Sequence, residues 1–291
     1  MITSEKIKNL RLKTGAGMMD CKKALEEVNG DIDSAVDWLR KKGISTAQKK
    51  SSRDASEGLI TISINGNTAS IVEVNSETDF VARNNEFQLF CKQVSEIIAK
   101  NKIRNLEDLN LFKINDGTGL SVSEELTALI SKVGENLIIK RCELICEEKT
   151  FVQKYLHNSI NDNSGKIGVI MQYTACEKFK DDENISKNIC MHIAATEPKS
   201  MTSNDLDEKI IEREKAIYRE QLVSSGKPTD IIEKIILGKI NKFYEDVCLD
   251  EQFFVMENKI KIKDYIQNYN KKFDCNFQIK SFKIFKVGES S

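Results

Sequence analysis

The chain has 291 residues, 40% hydrophobic and 31% charged, which is enough apolar material for filled cores beneath a well-solvated surface. Its 44 basic and 45 acidic side chains nearly cancel, so no global field draws it to nucleic acid or to a membrane. Eight cysteines lie scattered without CxxC pairs, which points to buried thiols in a reducing compartment and against a disulfide scaffold.

The length predicts two domains with a small appendage. Residues 1–6 hold no apolar signal-peptide core, and no run approaches the length of a membrane span. A soluble, cytoplasmic protein is expected.

Residues 4–13 read as a short helix with Ile7 and Leu10 apolar, stopped by Thr14-Gly15-Ala16-Gly17. A second helix over 18–28 puts Met18, Cys21, Leu25 and Val28 near one face. Asp31 is a good N-cap for a third, which packs Ile32, Ala35, Val36, Trp38 and Leu39 and ends near Gly43. So small a bundle barely supports its own core, and modules of this kind usually bind something. Lys22, Lys23 and Arg40 read, on composition alone, as a solvated face. Residues 44–57 lose apolar periodicity and are rich in Ser, Lys and Arg, so a linker is expected. The basic cluster over 49–53 is too short to argue for nucleic acid.

Next, residues 59–64 alternate, Asn65-Gly66-Asn67 turns, and 69–74 returns, which is a hairpin signal. The return strand runs into the stretch EVNSETDFVARN, residues 73–84, around which the rest is organised. Its polar turn, 75–79, separates the strand from a helix marked by Phe87, Phe90, Cys91, Val94, Ile97 and Ile98. Thr78 or Asp79 could cap that helix. Phe80 sits on the connector, either as a plug in the core or as a probe for a partner. A helix over 124–133 and a strand over 137–144 follow.

A second copy then begins. The shift that lays Ile167-Gly168-Val169-Ile170 on Ala69-Ser70-Ile71-Val72 also lays Ile185 on Phe87, Ile189 on Cys91 and the turn 161–165 near 65–67. Both halves read as a hairpin followed by a helix, hence two related α+β subdomains. Where the first copy has Ser-Glu-Thr-Asp-Phe, the second has Ala175-Cys176-Glu177-Lys178. A ring that only one copy needs points to function more than to scaffolding.

Residues 206–243 form two helical stretches broken at Ser224-Ser225-Gly226-Lys227-Pro228, a hairpin arm. Its second helix carries more isoleucine than one partner helix requires. The chain closes with a strand over 253–256, a helix over 260–272 and a strand over 277–287. The expected scheme is an α+β fold: a three-helix domain at 1–43, a linker at 44–57, a core N-subdomain at 58–145, a C-subdomain from 146–200 and 249–291, and an inserted arm at 201–248.

Histidine is scarce, with His157 in a polar turn region and His192 among apolar neighbours. No HExxH, GxSxG, phosphate-loop or dinucleotide motif appears, and Cys142 and Cys146 lack a zinc-site pattern. A binder is expected, with no catalytic residues, no metal and no cofactor.

Leu10-Arg11 followed by Thr14-Gly15-Ala16-Gly17-Met18-Met19-Asp20-Cys21-Lys22-Lys23-Ala24-Leu25 closely resembles the N-terminal motif of the bacterial elongation factor Ts family. Residues 73–83 resemble that family's second motif. Similarity continues through residues 191–195, Gly226-Lys227-Pro228 and residues 254–257. The resemblance implies a guanine nucleotide exchange factor for the GTPase elongation factor Tu, with no direct nucleic-acid or membrane partner. It implies a ubiquitin-associated-like bundle, a two-subdomain core and a protruding arm that contacts partners or, in some members, dimerises. The matching Asp79 and Phe80, with Thr78, Val81 and Arg83 around them, would touch the GTPase. The ring would wedge in, disturb the segment that helps hold Mg²⁺, and loosen GDP.

Weaker matches are Met19 and Lys22 in the N-terminal motif, Val133 and Gly134, His157, and Lys187 on the second subdomain's helix. Asn188 departs from the family there, and Arg83 replaces a common lysine. The sequence closes at Ser291 without the extra C-terminal helix of some members, so no contact of that kind is expected. The rival reading is an RNA-associated or adaptor protein, against which the near-neutral charge and the absence of an aromatic–basic ribonucleoprotein motif both count.

Overall fold

In the computed structural model, Leu10, Cys21, Ala24, Leu25 and Ala35 are fully buried together, the core that the first three amphipathic segments predict. The structure describes residues 2–115, 117, 119–176, 179–181, 183–223, 228–257 and 259–289. Helix α1 (Ser4–Thr14) ends at Gly15, whose φ of 67° is the left-handed conformation that glycine tolerates. Helix α2 (Met18–Glu27) follows. Helix α3 (Ile32–Lys50) is capped by Asp31, whose carboxylate accepts the Ser34 N–H at 2.7 Å.

Helix α3 corrects the expected linker, because 44–50 is helical. Gly43 does not stop the helix; it permits close packing, since a Cβ there would stand 3.1 Å from Ser131 Oγ on the later helix α7 (Val122–Val133). Ala47, one turn on, packs against the core beneath, and Lys50 Nζ donates to the Gly134 carbonyl. Two small buried residues on an otherwise polar helix leave no apolar periodicity to read.

The chain divides into two units, one from the chain up to Cys146 with residues 158–168 and the segment from Phe285 on, the other from residues 147–157 and 169–284. In the first, β1 (Glu57–Asn65) and β2 (Thr68–Ser76) pair antiparallel through the Asn65–Thr68 turn as the Asn-Gly signal predicts. Then come α4 (Asp79–Ala82), α5 (Asn85–Asn101), α6 (Leu106–Leu111), α7 and β3 (Leu137–Cys146), which lies antiparallel to β2. Leu59, Val72 and Val74 of the sheet pack with Phe87, Phe90, Val94 and Ile98 of α5 and Leu129 and Ile130 of α7.

Strand β4 (Phe151–His157) precedes β5 (Ser164–Gly165) and β6 (Ile167–Thr174). Residues 161–165 were expected as the second hairpin's turn. Instead β5 pairs with β1, with Ile60 opposite Gly165, giving the order β3-β2-β1-β5.

The second unit holds α8 (Ile185–Thr196), α9 (Glu208–Val223), α10 (Thr229–Val247), α11 (Ile262–Phe273) and most of β7 (Gln278–Lys286). Its sheet runs β4-β6-β7, which repeats the first unit's β1-β2-β3: two strands, a helix, then a strand added beside the second. The duplication seen as a pattern is thus a duplication of topology. No strand forms at 253–256. Phe253 makes only an isolated bridge to Lys261, and Phe254 is buried in a loop, its ring stacked on Tyr265 at 4.4 Å. Two adjacent aromatics read as a strand when one of them is a loop anchor.

In the arm, Ile232, Ile236 and Ile240 of α10 bury against Tyr218 and Leu222 of α9. The expected break at 224–227, including Gly226 and Lys227, lies outside the described residues, as do Glu177, Lys178 and Ser291. Among the described residues no helix is long and apolar enough to cross a membrane.

Candidate docking site around Phe80

Strand β2 ends at Ser76, and within a few residues the chain must turn from the sheet into α5. The single turn α4 makes that passage. Successive helical residues point about 100° apart, so neighbours on one turn face opposite ways. Val81 and Ala82 face inward and join the core with Phe87 and Leu59, whereas Phe80 faces outward and is 80% exposed. The ring is therefore not a plug. Val81, expected at the partner surface, lies under it and anchors the turn.

Asn84, not Thr78 or Asp79, caps α5, its Oδ1 accepting the N–H groups of Glu86 at 2.8 Å and Phe87 at 3.4 Å. Thr78 stands at the N-cap of α4, but its hydroxyl donates elsewhere, to Glu135 Oε1 at 2.6 Å. Its N–H donates to Glu135 Oε2 at 3.0 Å. The exchange is reciprocal: the Asn136 N–H donates to Glu77 Oε1 at 2.6 Å, and Asn136 Nδ2 donates to the Arg53 carbonyl at 2.8 Å. Gly134 caps α7 at a φ of 87°, which turns Glu135 and Asn136 toward residues 77–78. The structure thus brings Val133 and Gly134 up to the Thr78–Arg83 segment. Glu77, Glu135 and Asn136 were not singled out from the sequence, because nothing local marks a polar pair after a helix as the clamp of a distant turn.

Asp79 pairs with Arg83 at 3.6 Å, and both line an open cleft of about 630 Å³ that Glu57 and Lys166, themselves 2.6 Å apart, close on another side. Met19 is 76% exposed on α2, with Met18 and Leu12 also exposed on the bundle. Lys22 is exposed and lies 3.8 Å from Glu26. His157 and Lys187 belong to the second unit, and both are exposed. His157 ends β4 instead of sitting in a turn, its Nδ1 3.2 Å from the Tyr155 hydroxyl. Asn188 donates to the Glu183 carbonyl at 3.2 Å and lies 3.4 Å from the Tyr265 hydroxyl.

His192 is fully buried. The Val255 N–H donates to its Nδ1 at 3.3 Å, which places the ring proton on Nε2, 3.0 Å from Gln252 Oε1. Burial pushes its pKa below the ordinary histidine value. Among the described residues no group of three or more His, Cys, Asp or Glu could hold a metal, and the eight cysteines are free thiols. Burial drives the Cys142 thiol up to about 11, far from a reactive thiolate.

An exposed ring on a clamped turn, without a metal cluster among the described residues, is the signature of a protein-docking surface. Comparison with known proteins gives that surface a family. The sequence profile of the family described as "Elongation factor TS" matches residues 77–289. The "Elongation factor Ts" of Rhodospirillum rubrum is 41% identical over 289 residues, covering 99% of this chain and 93% of that protein. That of Rhizorhabdus wittichii is 42% identical over 290 residues, covering 99% and 93%. That of Rickettsia massiliae is 40% identical over 291 residues, covering 99% and 92%. The chain belongs to the elongation factor Ts family and is a translation elongation factor.

Proposed function

We propose that this chain is a guanine nucleotide exchange factor that acts in the cytoplasm on elongation factor Tu, without a covalent or proton-transfer step of its own. The observation that carries the reading is Phe80, a large apolar side chain held in water on a turn whose next two residues are core. Burying such a ring in a partner is worth about 1.5–3 kcal/mol. If the GTPase accepts the ring only when its Mg²⁺ and phosphate-loop region is displaced, that free energy is drawn from GDP binding. Every 1.4 kcal/mol then weakens GDP about tenfold.

Thr78, Asp79 and Arg83 flank the ring, and Met19 and Lys22 on α2, Val133 and Gly134, and His157 and Lys187 on the second unit would supply further contacts. The arm offers another apolar surface, with Ile210, Ile217, Ile231 and Leu237 exposed. Light scattering across a concentration series separates its use in a homodimer from use against other partners.

Linkage supplies the test. A factor that weakens GDP must itself be weakened by GDP to the same factor. Titration should show tight binding to nucleotide-free elongation factor Tu and a proportional loss as GDP is added. Equal affinity with and without GDP would contradict the proposal.

A further inference from the structure

A helix of one turn does not hold itself together, because nucleation costs more than its few hydrogen bonds return. The ring of Phe80, 80% exposed, contributes nothing to its own placement. The turn is fixed from two sides. Val81 and Ala82 hold it from below. At its start, both oxygens of Glu135 are engaged by Thr78, one by the hydroxyl and one by the backbone N–H.

We propose that Glu135 is a positioning residue for Phe80: its carboxylate fixes the entry to α4 and thereby the direction in which the ring projects. The inference rests on the exchange function proposed above and deepens it. Three features favour positioning over simple scaffolding. The contact spans 57 residues of sequence and joins two loop segments, neither of which lies in the core. It is charge-assisted and two-pronged, the arrangement that fixes geometry as well as contributing energy. And Glu135 is itself aimed: Gly134 before it adopts a left-handed φ, with its carbonyl taken by Lys50, while Asn136 after it is tied to Glu77 and Arg53. A ring held ready in its docking direction does not have to be ordered during docking, which favours the strained complex over loose attachment.

The test compares Glu135→Ala, Glu135→Gln, Thr78→Val and the pair Glu135→Ala/Thr78→Val with wild type and Phe80→Ala. Two measurements are read: release of a fluorescent GDP analogue from elongation factor Tu, and amide hydrogen exchange at residues 77–83. Glu135→Ala should cut the maximal release rate roughly tenfold while the half-saturating concentration moves by less than about twofold. Its urea midpoint should stay near that of wild type, and the amides of 78–80 should exchange faster. Glu135→Gln should recover most of the rate, because its amide oxygen accepts the Thr78 N–H while its NH₂ donates to the hydroxyl. The pair should be no worse than Glu135→Ala alone, since both remove one interaction.

Wild-type rate and exchange in Glu135→Ala, with Phe80→Ala impaired, would overturn the positioning role. So would a global loss of stability in Glu135→Ala together with full activity in Thr78→Val, which would leave Glu135 a structural residue only. Full activity of Phe80→Ala is a separate result. It would overturn the lever on which the inference rests, while the exchange data would still report the clamp.

Discussion

Phe80 and Val81 are neighbours in the chain and opposites in environment, the first 80% exposed and the second 8%. The division of labour between them is measurable by urea unfolding. Val81→Ala should lower stability by about 1 kcal/mol, from lost methyl burial and a partial cavity. Phe80→Ala should leave stability within about 0.5 kcal/mol of wild type. A destabilised Phe80→Ala would mean that the ring is packed after all.

Glu73 is the fully buried carboxylate of β2, and Arg141 Nε of β3 donates to it at 2.7 Å. The Gly288 N–H donates to the same carboxylate at 3.0 Å, and Arg141 also reaches Glu289 at 3.1 Å. Removing the carboxylate leaves a partly buried guanidinium and frees the segment around Gly288. Glu73→Ala should therefore cost about 3 kcal/mol in chemical unfolding, and amide exchange near Gly288 should rise. A cost under about 1 kcal/mol would place this pair among ordinary surface contacts.

Gly43 and Ser131 meet where α3 crosses α7. Gly43→Val should force the helices apart at a cost of about 1–3 kcal/mol and expose residues 51–56 to limited proteolysis. Unchanged stability and cleavage would contradict the close packing.

His192 must be neutral to accept the Val255 N–H at Nδ1, and burial holds its pKa below the ordinary value. The unfolded chain binds this proton more readily than the folded one. The group's contribution is thus whole above about pH 6.5 and is lost progressively as pH falls below it. The urea midpoint should drop on the acid side, and His192→Gln should flatten that part of the profile. An equal slope in both proteins would assign the loss to other groups.

Much of this was legible before the structure. The Asn-Gly hairpin, the helical repeat after Phe80 and the duplicated strand-strand-helix pattern are local signals, written by side-chain period and turn chemistry. The end of α3 was not, because Gly43 and Ala47 stay helical only through α7, far along the chain. Nor was the loop around Phe254, whose aromatic ring serves Tyr265 and His192 and not a strand. At the site, an unusual aromatic in a polar turn marked Phe80 from sequence. Its exposure, the burial of Val81 and the Glu135 clamp depend on contacts more than fifty residues apart, and no local pattern carries them.

The most direct measurement is the maximal rate of release of a fluorescent GDP analogue from elongation factor Tu, with saturating wild type and with Phe80→Ala. Wild type should accelerate release strongly, and the alanine variant, folded and still binding, should lose at least about tenfold of that rate, the equivalent of about 1.4 kcal/mol of ring burial. Equal acceleration by the two proteins would contradict the account of Phe80 as the lever, and no acceleration by either would contradict exchange itself.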